Sequence, residues 1–142
     1  MNVIKALTLV VLLGALMLFA ASCDILGLGD SAPPPYVIEV EAVTFNTPVA
    51  SQDTLRVRFH GWAGNNSCEG FYRMSVDPFP GGATCKLWGH VLTGSGEAIC
   101  NDEMIQLTEI YEVPHPDPGY YHVVVIQPNG SELNEWAAID EQ

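Results

Sequence analysis

Residues 120–126 read YYHVVVI, a nearly continuous apolar run that is rich in β-branched side chains. Turn-forming residues flank this run, with PHPDPG at 114–119 before it and PNG at 128–130 after it. A short apolar run between turns is typical of a strand that is buried on both faces. The sequence therefore predicts a central β-strand here, with the core of the protein packed around it.

The run Thr54–Trp62 shows the second strand pattern, a regular alternation of apolar and polar side chains. Leu55, Val57 and Phe59 occupy one phase, which we expect to face inward, because successive side chains of a strand point to opposite faces. The residues of the opposite phase, expected to face solvent, are Arg56, Arg58 and His60.

Several further runs have the length and composition of strands. They cover residues 36–45, 71–76, 83–93, 105–113 and 132–139. Turn signals such as DPFPGG at 77–82 and GSGE at 94–97 separate them, and no amphipathic helix interrupts them. About seven short strands without helices predict an all-β sandwich.

The alternation also predicts which side chains of these strands face inward. In the first run these are Ile38, Val40 and Ala42, and in the run 71–76 they are Tyr72, Met74 and Val76, with Phe71, Arg73 and Ser75 outward. In the run 83–93 the phase is open, because Cys85 and Leu87 compete with Trp88 for the inward positions. A change of phase near Thr108 predicts a bulge or bend.

The tetrapeptide Pro118-Gly119-Tyr120-Tyr121 precedes the Val-rich strand. It resembles the Pro-Gly-x-Tyr entry to the sixth strand of immunoglobulin-like and fibronectin-type sandwiches. The resemblance implies a single immunoglobulin-like antiparallel β-sandwich of about seven strands. It also implies that Tyr121 is a tyrosine corner, whose hydroxyl bonds back to nearby backbone. Val123 stands where antibody domains carry a cysteine, so their inter-sheet disulfide is not expected.

The N-terminal stretch has the organisation of an export signal. Residues 6–22 read ALTLVVLLGALMLFAAS, with Lys5 before them and Cys23-Asp24 after them. A charge, an apolar run and small residues abutting a Cys resemble a bacterial lipoprotein signal peptide. The resemblance implies a cleaved signal helix over 1–22, a lipid on Cys23 and membrane association through that lipid. An ordinary secretory peptide and an uncleaved membrane anchor are the alternatives.

The predicted domain organisation follows from this signal. A Pro- and Gly-rich tether over 23–35 ends in Pro33-Pro34-Pro35 and carries the β-sandwich domain of residues 36–142. The predicted location is the cell envelope, on the periplasmic side of the inner membrane or at the outer membrane and cell surface. In some Gram-negative lipoproteins an Asp at the position of Asp24 retains the protein at the inner membrane.

The charge balance restricts the choice of partners. Residues 23–142 contain 17 acidic side chains against four basic ones, a formal charge of −13. Nucleic acid is excluded as a partner, because its binding depends on neutralising phosphates with Lys and Arg. The basic residues are Arg56, Arg58, Arg73 and Lys86.

Three cysteines remain once Cys23 is assigned to lipidation. We predict a disulfide between Cys68 and Cys100, because both lie in loops beside strand starts whereas Cys85 lies within a strand. The pair Cys68–Cys85 is the alternative. No CxxC spacing indicates a zinc site, and a free Cys85 is expected to behave as a small buried hydrophobe.

No catalytic, metal or cofactor site is predicted, and the chain is interpreted as not an enzyme. The histidines show no metal-binding spacing, and Gly94-Ser95-Gly96 is a turn rather than a nucleophile elbow. Adjacent acidic pairs are expected by chance in so acidic a chain, although Asn101-Asp102-Glu103 offers clustered oxygen ligands for calcium. The histidines are His60, His90, His115 and His122.

One group of basic and aromatic side chains is a candidate binding face. If the third, fourth and sixth strands share a sheet, its outer face carries Arg73, Lys86, Trp88, His90 and His122. Exposed Trp beside Arg is typical of recognition surfaces. The predicted function is a lipid-anchored envelope module that binds a protein or glycan or has a structural part. An envelope hydrolase or metal-dependent enzyme, and an accessory subunit of a secretion or surface complex, are the alternatives.

Overall fold

The protein is described here by a computed structural model that covers residues 33–91 and 99–141. The predicted signal peptide, Cys23, Asp24, the tether up to residue 32 and the turn at 94–97 lie outside the described residues. Pro33-Pro34-Pro35 is exposed and belongs to no strand. No helix within the described ranges is long and apolar enough to cross a membrane.

The described residues form ten β-strands and no helix, which confirms the all-β prediction. The strands are β1 (Tyr36–Val37), β2 (Val40–Phe45), β3 (Val49–Ala50), β4 (Thr54–Gly64), β5 (Glu69–Phe79), β6 (Gly82–Val91), β7 (Ile105–Gln106), β8 (Ile110–Pro114), β9 (Gly119–Ile126) and β10 (Glu132–Asp140). Three of them (β1, β3 and β7) have two residues each, so the seven longer strands correspond to the number expected.

The strands form two sheets. In the larger sheet, β6 pairs with β5 along one side and with β9 and then β1 along the other, and β9 continues through β10 to β3. In the smaller sheet, β4 pairs with β2 on one side and with β8 and β7 on the other. The predicted binding face requires the third, fourth and sixth of the longer strands to share a sheet. These strands are β5, β6 and β9, and all three belong to the larger sheet.

The prediction that all strands pair antiparallel is wrong. The pairs β6–β9 and β10–β3 are parallel, so the larger sheet is mixed. A parallel pair needs a crossover connection, and the chain between β6 and β9 supplies one by passing through β7 and β8 of the smaller sheet. The alternation of apolar and polar residues within one strand does not indicate whether the neighbouring strand runs parallel or antiparallel to it.

The two sheets enclose one hydrophobic core. Leu55, Val57 and Phe59 of β4 are fully buried, which confirms the alternation predicted for this strand. From the larger sheet, Cys85, Leu87, Val123 and Val125 are also fully buried and belong to the same cluster. The phase of β6 is therefore settled, with Cys85 and Leu87 inward and Trp88 outward.

Bulges overturn two of the predicted phases. A register shift between Phe71 and Arg73 places Phe71 against the core and leaves Tyr72 55% exposed, the reverse of the prediction. A second shift in β2 exposes Ala42, which was expected inward, and buries Val43. Each extra residue turns the side chains beyond it to the other face. Near Thr108 the predicted interruption separates β7 from β8.

Tyr121 is buried in β9, and its hydroxyl shares a hydrogen bond with the side chain of Tyr111 in β8, which lies in the other sheet. The predicted bond from this hydroxyl to nearby backbone is not seen among residues 33–91 and 99–141. Burial, followed by this hydrogen bond, raises the pKa of Tyr121 above its ordinary value. The pair thus joins the two sheets through the core.

The structure pairs Cys68 with Cys100 in a disulfide, as predicted, with their Cα atoms 5.4 Å apart. The bridge joins the turn before β5 to the segment before β7. The same two segments also bond through Asn101, whose backbone oxygen accepts from Ser67 N and whose backbone N–H donates to Ser67 Oγ. Cys85 is a free, buried thiol, and burial is the main cause that raises its pKa to about 11.

Candidate functional site

The outer face of the larger sheet carries all five residues of the predicted binding face. Lys86, Trp88 and His90 alternate with the buried Cys85 and Leu87 on β6, so they point away from the core. Arg73 is the register partner of Trp88, and His122 is the register partner of Gly82. The five side chains nevertheless form two separate groups on this face, since their contacts differ.

The first group, which we call the basic cluster, consists of Tyr72, Arg73, Lys86, Trp88 and His90. Its centre is the Trp88 ring, with the Lys86 Nζ 4.5 Å and the Arg73 Cζ 5.5 Å from the ring centroid. Both distances are within the range of cation–π attraction. Arg73 also approaches the Tyr72 ring, at 6.0 Å. Two cations therefore share one aromatic ring on the surface of a strongly acidic chain.

Hydrogen bonding fixes the orientation of the Trp88 ring. The indole Nε1 donates to Ser75 Oγ at 3.1 Å, across the β5–β6 pair. Neither Arg73 nor Lys86 forms an ion pair with a carboxylate among residues 33–91 and 99–141, where the ion pair that does form joins Arg56 to Glu112 on the smaller sheet. Within these ranges, no carboxylate therefore lies within ion-pair distance of the two cations of the basic cluster.

His90 closes the basic cluster at the end of β6. Its ring lies 5.2 Å from the Tyr72 ring with a tilt of 53°. The His90 Nδ1 atom is buried and finds no hydrogen-bond partner among the described residues. Buried polar atoms in proteins are generally bonded. The bulge that exposes Tyr72 is what brings this ring over β6, and the sequence pattern alone does not show it.

The second group, which we call the aromatic row, runs across four strands. It follows the register partners Phe79–Gly82, Gly82–His122 and His122–Trp136. The Phe79 and His122 rings meet edge to face at 5.9 Å, and the His122 and Trp136 rings stack at 3.7 Å with 5° between their planes. His122 Nε2 donates to Asn134 Oδ1 at 2.8 Å, which holds the imidazole in place.

Gly82 makes the aromatic row continuous. A Cβ atom at this position would lie 2.5 Å from two carbons of the Phe79 ring, which is closer than side chains tolerate. Because Gly82 has no side chain, the Phe79 ring can lie across β6 toward His122. Phe79 and Trp136 were not predicted as site residues. The alternation of β10 could have indicated Trp136 as a surface residue, because it lies in the outward phase, between the inward-facing Leu133 and Ala137.

A groove of about 340 Å³ opens beside the aromatic row, at the end of the two sheets. It shares Phe79 with the row and is bordered by loops rich in proline. The side chains that line it include Phe79, Tyr111, His115, Asp117, Tyr120 and Tyr121. His115 has a φ of 49°, a left-handed conformation that is uncommon for residues other than glycine.

A second, polar cleft of about 270 Å³ lies at the opposite end of β6. Tyr36, Trp62 and three glutamates are among its lining residues. The Tyr36 hydroxyl donates to Ala63 O at 2.6 Å, and burial, followed by the charge of Glu69, raises the pKa of Tyr36. The glutamates are Glu39, Glu41 and Glu69.

The other candidate residues are not brought together into a reactive site. His60 shares a hydrogen bond with Thr44 on the outer face of the smaller sheet, far along the register from His115 in the loop after β8. Asn101 uses its side-chain oxygen to accept from Glu103 N, within its own loop. Within the described ranges, no group of three His, Cys, Asp or Glu side chains is arranged to hold a metal ion.

Comparison with protein-family models, with curated proteins and with solved structures gives no match for this chain. Its functional interpretation therefore rests on the geometry of the described residues. Two surfaces stand out in that geometry, the basic cluster and the aromatic row with its adjoining groove.

Proposed function

We propose that this chain is a lipid-anchored binding module of the cell envelope, that it is not an enzyme, and that its domain is an immunoglobulin-like sandwich. In this proposal the outer face of the larger sheet recognises an envelope protein or glycan that carries carboxylate or other anionic groups. The observation that carries the proposal is the position of Arg73 and Lys86 over Trp88, without an acidic partner among the described residues.

The chemistry of the basic cluster supports recognition of an anionic group. A guanidinium and an ammonium group converge on one ring, so they present several N–H donors at one place. The domain is otherwise acidic, with a formal charge of −13 over residues 23–142, so a locally positive area differs from its surroundings. The exposed Tyr72 adds an aromatic surface with a hydroxyl group, a combination frequent in binding sites.

Lipid anchoring is supported by the sequence around Cys23 and by the exposed Pro33-Pro34-Pro35 segment. A proline-rich segment is extended and semi-rigid, which suits a spacer between a membrane and a domain. The sandwich assignment is supported by two sheets that share one core and by seven longer strands. The parallel β6–β9 pair distinguishes this sheet from an all-antiparallel arrangement.

Site-specific photo-crosslinking in cells tests the binding face. A photoreactive amino acid replaces Tyr72 in one variant and Trp62, which is 44% exposed on the smaller sheet, in a matched control. We expect the Tyr72 variant to form a discrete crosslinked product that the control does not form. The product should weaken in an Arg73→Ala, Lys86→Ala background and persist in an Arg58→Ala background. Equal crosslinking from both positions, or none from Tyr72, would contradict the proposal.

A further inference from the structure

The aromatic row continues into the groove at the end of the sheets, and together they form one surface. Phe79 belongs to both, since its ring meets His122 edge to face and also lines the groove. Tyr120, which is 72% exposed, lines the groove next to it. The row spans four strands, or roughly 14 Å at the usual spacing between neighbouring strands. This surface is therefore long enough for an extended ligand.

The ring faces of this surface are accessible. Trp136 is 57% exposed although the His122 ring covers one face of its indole. The opposite face of the indole is consequently among the parts that are open to solvent. Aromatic rings held in fixed orientations provide large contact areas at a low cost in side-chain entropy. The His122–Asn134 hydrogen bond and the stacked rings supply that fixed orientation.

The groove supplies polar groups that can form hydrogen bonds with a ligand. His115 and Asp117 line it together with the hydroxyl-bearing Tyr111 and Tyr120. No Lys or Arg is among its lining residues in the described part of the chain, and Asp77 lies next to Thr84 on the same outer face. Anionic ligands are therefore disfavoured here, in contrast to the basic cluster. A ligand for this surface needs apolar faces, many hydroxyl groups and no negative charge.

We propose that the aromatic row and the groove form a second binding site, which takes an uncharged oligosaccharide. Sugar rings have one apolar C–H face that stacks on aromatic rings, and their hydroxyl groups pair with carboxylate, imidazole and phenol groups. Phe79, Tyr120 and Trp136 provide the stacking surfaces, and His115 and Asp117 provide the hydrogen-bond partners. The site differs in ligand from the basic cluster, and it does not depend on what the basic cluster binds.

The test uses the full-length protein purified in detergent and measures binding by calorimetry. The probes are cellohexaose, xylohexaose, mannohexaose and chitohexaose as uncharged chains, oligogalacturonate as an acidic chain, and decaproline as a peptide that also fits proline- and aromatic-lined grooves. The variants are Trp136→Ala, Tyr120→Ala and His115→Asn, because Asn tolerates the left-handed backbone. The matched control is Trp62→Ala on the smaller sheet.

We expect at least one uncharged hexasaccharide to bind, and each site variant to weaken its affinity by roughly tenfold or more. The Trp62→Ala control should bind as the wild type does, and so should an Arg73→Ala, Lys86→Ala variant, which separates this site from the basic cluster. Absence of binding by all four uncharged probes at millimolar concentration would overturn the proposal. Preferential binding of decaproline, preferential binding of oligogalacturonate by the Arg73→Ala, Lys86→Ala variant, or wild-type affinity in Trp136→Ala would also overturn it.

Discussion

The ammonium group of Lys86 lies 4.5 Å from the centroid of the Trp88 ring, two residues further along the same outward phase of β6. Strand neighbours at i and i+2 are on one face, so this contact follows directly from the alternation of the sequence. Arg73 approaches the same ring from β5, at 5.5 Å. The positive charges of the larger sheet are thereby held at one place.

A double-mutant cycle between Lys86 and Trp88 measures the coupling free energy of this contact. Lys86→Met keeps most of the apolar stem, and Trp88→Leu removes the ring. We expect a coupling free energy of about 0.5–1 kcal/mol at low salt, which decreases as salt is added. Urea unfolding of the four proteins provides the value. A coupling indistinguishable from that of Arg58 with Trp88, which lie on different sheets, would contradict the contact.

The Cys68–Cys100 disulfide should contribute substantially to stability. It joins residues 32 positions apart, and a closed loop of that length lowers the entropy of the unfolded chain. We expect the double variant Cys68→Ala, Cys100→Ala to lose about 3–4 kcal/mol of unfolding free energy. Chemical denaturation under non-reducing conditions tests this, with Cys85→Ala as the control that keeps the bridge. A loss below about 1 kcal/mol would show that the unfolded chain is restricted by other means.

The buried thiol of Cys85 predicts a specific pH dependence of stability. Burial first, and the charge of Asp77 second, raise its pKa to about 11 in the folded protein. Below the unfolded-state pKa of about 8.5 the thiol is protonated in both states, so the stabilisation is fully present. As the pH rises toward the folded-state value, only the unfolded chain ionises, and the free energy of unfolding falls.

Urea unfolding between about pH 8 and about pH 10 measures this effect, for which we expect a loss of about 1–2 kcal/mol in the wild type. Tyr36 and Tyr121 also have raised pKa values and contribute a decline of the same sign at higher pH. The contribution of Cys85 is therefore the difference between the wild type and Cys85→Ala in the loss of unfolding free energy over this pH range. The loss should be smaller in Cys85→Ala. If the unfolding free energies of the two proteins declined in parallel with pH, Cys85 would have no part in the decline.

The proposed lipidation of Cys23 predicts a clear change in fractionation. Stable anchoring requires more than one acyl chain, and the formal charge of −13 over residues 23–142 disfavours attraction of the domain as a whole to anionic lipids. We expect Cys23→Ala to leave an uncleaved precursor or to release a soluble, folded domain. Membrane fractionation with intact-mass measurement distinguishes these forms, and Cys85→Ala should behave as the wild type. A Cys23→Ala protein that is processed and membrane-held like the wild type would contradict lipidation.

Alternation within strands was the most informative part of the sequence. It placed Leu55, Val57 and Phe59 in the core, and loop position predicted the disulfide partner of Cys68. These features depend on short-range pattern, because burial selects apolar residues at every second position of a strand. The outward group Arg73, Lys86 and Trp88 was a candidate from the same reasoning, but alternation left the phase of the run 83–93 open, and the structure settles it.

Features that depend on pairing between distant strands could not be predicted. The bulge beside Tyr72 reverses two side chains through one extra residue, which leaves no clear mark in the sequence. The parallel β6–β9 pair places Gly82 next to His122, and that register alone allows the Phe79 ring to reach His122. The aromatic row is therefore a product of register.

The central claim, that the basic cluster is a recognition face, is tested most directly by charge reversal followed by native mass spectrometry. Arg73→Glu, Lys86→Glu and the control Arg56→Glu, Arg58→Glu change the net charge equally but alter opposite sheets. All proteins are purified from solubilised membranes under identical conditions. We predict that the wild type and the control retain a bound partner and that the first variant loses it. Retention of the partner by Arg73→Glu, Lys86→Glu, or its absence from the wild type, would contradict the claim.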